Sequence, residues 1–172
     1  MKIIKIQLLA VLLASLMFNC GGKEEKKKEG FTYEKSGTTD KKEVKDDDNV
    51  ANIVITSNDL MQFNINEIKV KAGQKVKLTL RHIGKLDINV MGHNVVILKQ
   101  GVDLTEFAAK AATEKENKYI PKDSQDIIAN TGLIGGGQVT SIEFEAPEAG
   151  TYDFLCSFPG HSGLMKGKFI VE

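Results

Sequence analysis

The clearest fold signal lies near the end of the sequence, in Thr151-Tyr-Asp-Phe-Leu-Cys-Ser-Phe-Pro-Gly-His-Ser-Gly-Leu-Met-Lys-Gly-Lys-Phe-Ile-Val171. Residues 151–156 and 166–171 are rich in aromatic, aliphatic and β-branched side chains, which predicts two β-strands. Pro159-Gly160 in the intervening loop predicts a tight turn. The segment therefore predicts two strands joined by a short loop, and this loop contains a cysteine, a histidine and a methionine.

The loop places donor atoms for a soft metal ion at short spacings. His161 lies five residues after Cys156 and four residues before Met165. The sequence contains only 3 histidines, and His93 is the best source of a second imidazole. Thiolate and thioether sulfur suit Cu(I), and imidazole also binds Cu(II), so this ligand set fits a mononuclear copper site. Such a site changes charge with little rearrangement, which predicts a one-electron carrier and not an enzyme.

Each of these side chains, taken alone, has a simpler explanation in a protein core. A lone cysteine is often a small buried hydrophobic residue, and a methionine often fills a gap in a core. A single histidine is often a buried residue with satisfied hydrogen bonds. The combination of all three types in one short loop favours metal ligation over core packing.

The first residues of the sequence predict export. Residues 6–18 form an apolar run behind Lys2 and Lys5, with the length of a signal-peptide core rather than of a membrane span. Cys20 follows this run directly, in an arrangement similar to a bacterial lipoprotein signal, where the cysteine is acylated. We therefore predict a signal peptide at residues 1–19, a lipid anchor at Cys20 and a location in the periplasm or cell envelope. An ordinary secretory peptide with an incidental cysteine is the alternative.

Composition divides the rest of the chain into a linker and one domain. Residues 20–50 are rich in Lys, Glu and Asp with almost no branched aliphatic side chains, which predicts a disordered tether. Residues 51–172 form the predicted folded domain. The chain has 172 residues with 23 basic and 23 acidic side chains, so it lacks the basic excess of a nucleic-acid-binding protein.

The domain has the pattern of an all-β protein. In addition to the two strands above, strands are predicted at residues 53–56, 63–70 with an irregularity near Asn66, 76–82, 90–98 and 139–144. Short strands separated by Gly, Pro and Asn turns, without regular alternation with helices, predict an all-β sandwich. Residues 104–118 are rich in Ala, Glu and Lys and predict one helix inserted between two strands, with Phe107 packed against the sandwich.

Four stretches of the domain resemble the azurin family of bacterial blue-copper proteins, within the cupredoxin superfamily. They are Asn58-Asp-Leu-Met-Gln-Phe63, Val90-Met-Gly-His-Asn94, Thr131-Gly-Leu-Ile-Gly-Gly-Gly137 and Phe154-Leu-Cys-Ser-Phe-Pro-Gly-His-Ser-Gly-Leu-Met-Lys-Gly167. The resemblance covers residues 53–171. It implies an eight-stranded Greek-key β-sandwich (cupredoxin-like) with one short helical insertion.

The resemblance also implies a role for individual residues around one copper ion. His93, Cys156 and His161 are expected as ligands, with Met165 and the backbone carbonyl of Gly92 as weak axial partners. Asn94 is expected to tie the two ligand segments together and to donate a backbone hydrogen bond to the Cys156 sulfur. Beside the ligands, the resemblance places Phe158 and His82.

A surface for redox partners is implied as well. Around His161 the azurin arrangement predicts an apolar patch formed by Leu86, Val90, Met91, Phe158 and Leu164. Apolar patches often mark interaction surfaces, and the expected partners are redox proteins such as cytochromes or membrane oxidoreductases. Copper storage, delivery or protection is the alternative function, because the same four side chains bind copper tightly. With 3 histidines the sequence lacks the additional copper motifs of a multicopper oxidase.

Overall fold

The computed structural model describes residues 49–172, so the predicted signal peptide, Cys20 and nearly all of the predicted linker lie outside the described residues. The described residues form two β-sheets packed face to face, with two α-helices and one 3-10 helix in the connections. Within this range no helix has the length and apolar character needed to span a membrane. The prediction of an all-β sandwich with a short helical insertion is confirmed.

Nine strands make up the two sheets. The first sheet contains β1 (Val50–Asn58), β2 (Gln62–Phe63), β4 (Lys75–His82) and β7 (Val139–Glu145), in the order β2-β1-β4-β7. The second contains β3 (Glu67–Val70), β5 (Val96–Leu98), β6 (Ile127–Asn130), β8 (Gly150–Leu155) and β9 (Lys166–Val171), in the order β3-β9-β8-β5-β6. The helices are α1 (Ile88–Met91), α2 (Leu104–Ala112) and the 3-10 helix Lys115–Asn117.

Strand β4 shows how the sequence pattern forms the core. Val76, Leu78 and Leu80 are fully buried, and the alternating lysine and arginine side chains face solvent. The strand pairs with β1 in parallel and with β7 antiparallel, so it lies in the middle of its sheet. Its last inward-facing residue, His82, is also buried and lies at the end of the sandwich where the predicted ligands meet.

The hairpin of β8 and β9 carries the ligand loop at the same end. Leu155, the last residue of β8, pairs with Lys166, the first residue of β9. Just beyond them, the backbone N–H of Cys156 donates to the carbonyl of Met165 over 2.9 Å. This hydrogen bond closes the base of the loop, so Cys156 and Met165 lie side by side at the edge of the core.

The predicted continuous strand at residues 90–98 is wrong. Ile88–Met91 forms the short helix α1, because the side chain of Asp87 accepts the N–H of Asn89 and caps it. The strand β5 begins at Val96. Between the two, His93 belongs to an isolated bridge with Ile134 instead of a regular strand.

Three further boundaries differ from the predictions. The helix predicted at 104–118 ends at Ala112, and a separate 3-10 turn follows at Lys115–Asn117. The predicted strand 63–70 is two strands, β2 and β3, which belong to different sheets. Strand β6 was not predicted from the residue pattern. Residues 49–172 contain nine strands, where the resemblance implies eight.

Ser57 provides a test of the packing at this end of β1. Its side chain is 1% exposed, and its Oγ is the buried side-chain polar atom within residues 49–172 that lacks a hydrogen-bond partner. We expect Ser57→Ala to raise the free energy of unfolding by about 1 kcal/mol, because it removes an unsatisfied buried hydroxyl. Urea unfolding of the copper-free protein measures the change. Ser141→Ala is the control, since that hydroxyl is exposed and bonds Thr79, and a loss of stability in Ser57→Ala would contradict the prediction.

Candidate metal centre

Three predicted ligands converge at one point inside the protein. The donor atoms of His93, Cys156 and His161 all lie within 4.8 Å of one another. The Cys156 Sγ is 3.9 Å from Nδ1 of His93 and 3.7 Å from Nδ1 of His161. The residues are 0%, 0% and 3% exposed, respectively, so water has little access to the donors.

Backbone hydrogen bonds within the loop hold Cys156 and His161 in place. The N–H of His161 donates to the carbonyl of Phe158 over 3.0 Å, and the N–H of Met165 donates to the carbonyl of His161 over 2.8 Å. Gly160 has a φ of 81°, in the left-handed region where glycine carries no steric penalty. The tight turn predicted from Pro159-Gly160 therefore directs the His161 ring back toward the thiol.

His93 is fixed by contacts with two distant segments. It exchanges two backbone hydrogen bonds of 2.9 Å with Ile134. Its ring Nε2 lies 3.0 Å from the carbonyl oxygen of Asn58. Because a carbonyl only accepts, Nε2 carries the proton, and Nδ1 presents its lone pair to the Cys156 side of the site.

Asn94 and Ser157 connect the two segments that carry the ligands. The Asn94 Oδ1 accepts the backbone N–H of Ser157 over 2.9 Å, and the Asn94 Nδ2 donates to Ser157 Oγ over 2.8 Å. Both residues are buried. The backbone N–H groups of Asn94 and Phe158 also donate to the thiol sulfur of Cys156. These bonds fix the direction of the sulfur and reduce its electron density.

The two expected axial groups lie beside the three donors. The carbonyl oxygen of Gly92 is 3.9 Å from Cys156 Sγ. A Cβ at Gly92 would lie 2.5 Å from the carbonyl oxygen of Ile88 and 2.8 Å from the Phe158 ring, so no side chain fits there. Met165 is 0% exposed and packs in a cluster with Cys156 and Phe158.

His82 lies next to the site but outside the group of converging donors. Its ring centroid is 4.4 Å from that of His93. Its Nδ1 accepts the N–H of Gly84 over 3.0 Å, and its Nε2 donates to the carbonyl of Met91 over 3.0 Å. Since both nitrogens have partners, the His82 ring is held in one orientation against the ring of His93.

Burial sets the protonation of the donors. It lowers the pKa of His93 to about 4, although the hydrogen bond to Asn58 opposes this shift. Burial also lowers the pKa of His161. In contrast, burial raises the pKa of the Cys156 thiol to about 11, against the effect of its two backbone N–H donors. Near neutral pH both imidazoles are therefore free to bind a metal, whereas the thiol must lose a proton to do so.

The chemistry of this donor set fits copper. One thiolate, two imidazoles and a thioether combine soft and borderline ligands, which suits both copper oxidation states. Hard cations such as Mg²⁺ and Ca²⁺ require oxygen ligands, and the converging group of His93, Cys156 and His161 contains none.

The members of the predicted patch differ in exposure. Leu86, Val90 and Leu164 are 42%, 61% and 67% exposed. Met91 is half-buried, and Phe158 is only 9% exposed. Phe158 thus lies mainly beneath the surface, where its ring stacks on His161 at a centroid distance of 4.6 Å.

Sequence reasoning did not identify two groups that hold the ligands. The carbonyl of Asn58 orients His93, and a backbone group leaves no signal in residue type. Ser157 completes the connection to Asn94. Its only signal in the sequence is a small polar residue directly after Cys156, at the end of a strand.

The low pKa of His93 predicts how the copper-free protein responds to acid. Below pH 6.5 the unfolded chain binds a proton at this imidazole, but the folded protein does so only below about 4. Stability is therefore lost as the pH falls through this window, by on the order of 1 kcal/mol per pH unit. Denaturant unfolding at several pH values measures the slope. A His93→Gln variant should give a shallower slope, and equal slopes would contradict the assignment.

Comparisons with known proteins agree with this geometry. Residues 49–172 match the model of the family described as copper binding proteins, plastocyanin/azurin family. Azurin-1 of Alcaligenes xylosoxydans xylosoxydans is 42% identical over 117 residues, covering 66% of this chain and 91% of that protein. Outer membrane protein H.8 of Neisseria gonorrhoeae is 38% identical over 117 residues, covering 66% of this chain and 63% of that protein.

A solved structure shares the fold. Auracyanin A, a "blue" copper protein from Chloroflexus aurantiacus, superposes with a TM-score of 0.65 at 30% sequence identity, covering 72% of this chain and 99% of that one. The family match extends over the whole of the described domain, including the three converging donors. The chain therefore belongs to the plastocyanin/azurin family of copper-binding proteins, and His93, Cys156 and His161 form the ligand group for one copper ion.

Proposed function

We propose that this protein carries single electrons between redox proteins of the bacterial cell envelope. The observation that carries this proposal is the convergence of one thiol and two imidazoles, within 4.8 Å, in a buried site. A copper ion bound there supplies the one-electron chemistry, since it exists as Cu(II) and Cu(I). The protein residues hold the ligands in one arrangement that serves both states.

Hydrogen bonds within the protein chain support His93 and Cys156. Asn58 and Ile134 hold His93, and the closed hairpin holds Cys156 beside Met165. In this proposal Met165 and the Gly92 carbonyl would bind the copper more weakly than the other three groups and would tune its reduction potential. Rigid ligands reduce the rearrangement that accompanies a change in charge, which favours electron transfer over release of the ion.

We assign partner contact to the predicted patch. Leu86, Val90 and Leu164 supply its exposed apolar surface, with Met91 and Phe158 beneath or beside them. Phe158 stacks on His161, so a partner that covers the patch comes within one ring of a copper ligand. Small apolar contacts suit the short-lived complexes of electron carriers. Cytochromes or membrane oxidoreductases are the expected partners.

The proposed location in the cell is based on the first residues of the sequence. Residues 1–19 are proposed as a signal peptide and Cys20 as a lipid attachment site that holds the domain at a membrane. A relative that is 38% identical bears the name outer membrane protein H.8, which supports a location in the cell envelope.

Visible spectroscopy tests the copper site directly. The copper-loaded protein should show an intense sulfur-to-copper charge-transfer band. Cys156→Ser should remove this band, because it replaces the thiolate. Met165→Leu should keep the band and raise the reduction potential, because it removes an axial donor. A colourless or weakly absorbing wild-type complex would contradict electron transfer and favour copper storage or delivery.

Charging the patch tests partner contact. Val90→Lys should slow electron transfer to a c-type cytochrome by about tenfold or more, because a charge in an apolar contact must be desolvated. The charge-transfer band should stay unchanged. Stopped-flow mixing measures the rate. Val54→Lys is the matched control, since Val54 is similarly exposed (55% against 61%) but lies within β1, outside the patch. Equal rates for the two variants would reject the assignment.

A further inference from the structure

We propose that Tyr119 is a positioning residue for the copper ligands and acts through Ser157 and Phe158. The inference rests on the copper site of the proposed function. Tyr119 follows the 3-10 helix Lys115–Asn117, at the end of the helical insertion. It therefore connects a segment outside the two sheets to the loop that carries Cys156 and His161.

The first contact is a buried hydrogen bond. The Ser157 Oγ donates to the backbone carbonyl of Tyr119 over 2.7 Å and accepts Nδ2 of Asn94 over 2.8 Å. A serine hydroxyl has one proton, and the Tyr119 carbonyl at 2.7 Å is a closer acceptor than the Asn94 Oδ1 at 3.3 Å, so the bond to Tyr119 uses it. Ser157 is 1% exposed and Tyr119 is 9% exposed, so water has little access to replace either the hydroxyl or the carbonyl in this bond. Ser157, the residue directly after Cys156, is thereby held by hydrogen bonds to both Tyr119 and Asn94.

The second contact is between aromatic rings. The ring of Tyr119 meets that of Phe158 edge-on, at a centroid distance of 5.0 Å and an interplanar angle of 68°. Phe158 in turn stacks on His161 at 4.6 Å. Edge-to-face pairs of this kind are favourable beyond their buried area. Tyr119 therefore supports His161 through Phe158 while it supports Cys156 through Ser157.

The backbone of the insertion is strained at this point. Lys118 and Tyr119 have φ angles of 56° and 62°, in the left-handed region that side chains other than glycine disfavour. Local hydrogen bonds secure them, from Lys118 N to the Lys115 carbonyl and from Tyr119 N to the Glu114 carbonyl. Two successive residues in this region persist only where the surroundings compensate, and such strain concentrates at functional sites.

These contacts hold the loop at two places. Asn94 holds Ser157 from the side of His93, and Tyr119 holds it from the side of the insertion. If Tyr119 releases Ser157, the loop keeps its closure at Met165 but loses one of its lateral supports. The direction of the Cys156 sulfur, and with it the ligand field of the copper, should then change.

Four variants separate this role from a general loss of stability. Ser157→Ala removes the hydroxyl, and Ser157→Thr restores one. Tyr119→Leu removes the ring but keeps the carbonyl, and Tyr119→Phe keeps both. Val171→Ala is the stability control, because Val171 is buried in β9 at the opposite end of the sandwich from the loop.

The first measurement needs no copper. In the copper-free protein, amide hydrogen exchange at His161 should accelerate about tenfold in Ser157→Ala and Tyr119→Leu, since the loop opens more readily. Ser157→Thr and Tyr119→Phe should match the wild type. Unchanged exchange at His161 in Ser157→Ala, or equal acceleration in Val171→Ala, would overturn the proposal.

The second measurement uses the copper-loaded protein. The charge-transfer band and the reduction potential should shift in Ser157→Ala and Tyr119→Leu, and the combined variant should shift less than the sum of both, because they break one unit. Val171→Ala should leave both quantities unchanged. Purely additive shifts would overturn the linkage. A wild-type protein without the band would reject the proposed function alone, while the exchange experiment still decides the role of Tyr119.

Discussion

The buried hydrogen bonds between Asn94 and Ser157 are the constraint on which the rest of the site depends. The two residues are 63 positions apart in the chain, yet they lie opposite each other because β5 and β8 pair Val96 with Leu155. Two steps further along the same antiparallel register lie Asn94 and Ser157. The side chain of Asn94 there continues the strand pairing beyond the end of the sheet. Because unpaired polar groups are costly in a buried position, this connection forces the His93 and Cys156 segments together.

The same burial that shapes the site also sets its charge. Both imidazoles are neutral near pH 7, and the thiol of Cys156 is the one group that must lose a proton when a metal binds. With one anionic ligand, the buried site would have a net charge of +1 when it holds Cu(II) and of 0 when it holds Cu(I). A low net charge limits the desolvation cost in a site that water hardly reaches. The composition of the ligand set therefore suits its burial as well as its redox chemistry.

The sequence predicts those features that depend on local pattern. The alternation in β4 and the donor spacing between Cys156 and Met165 are visible in the residues themselves. Features that depend on contacts with distant residues are not visible in the sequence. Helix α1 lies in an apolar run that looks like a strand, and only the capping bond of Asp87 and the bridge of His93 to Ile134 end that run. Strand β6 is half-buried along its whole length, so it has no alternation to detect.

The helical insertion is better understood as part of the metal site than as an addition to the sandwich. Strand β8 ends at Leu155 and β9 begins at Lys166, so the ligand loop between them extends past the sheet and has no neighbouring strand for most of its length. Three groups replace that neighbour: Asn94 on one side, the Met165 carbonyl at the base and Tyr119 on the remaining side. A shorter connection between β5 and β6 would remove the Tyr119 carbonyl, to which the Ser157 hydroxyl donates. The unfavourable backbone angles at Tyr119 are consistent with this reasoning, because a connection free of such a contact has no need of them.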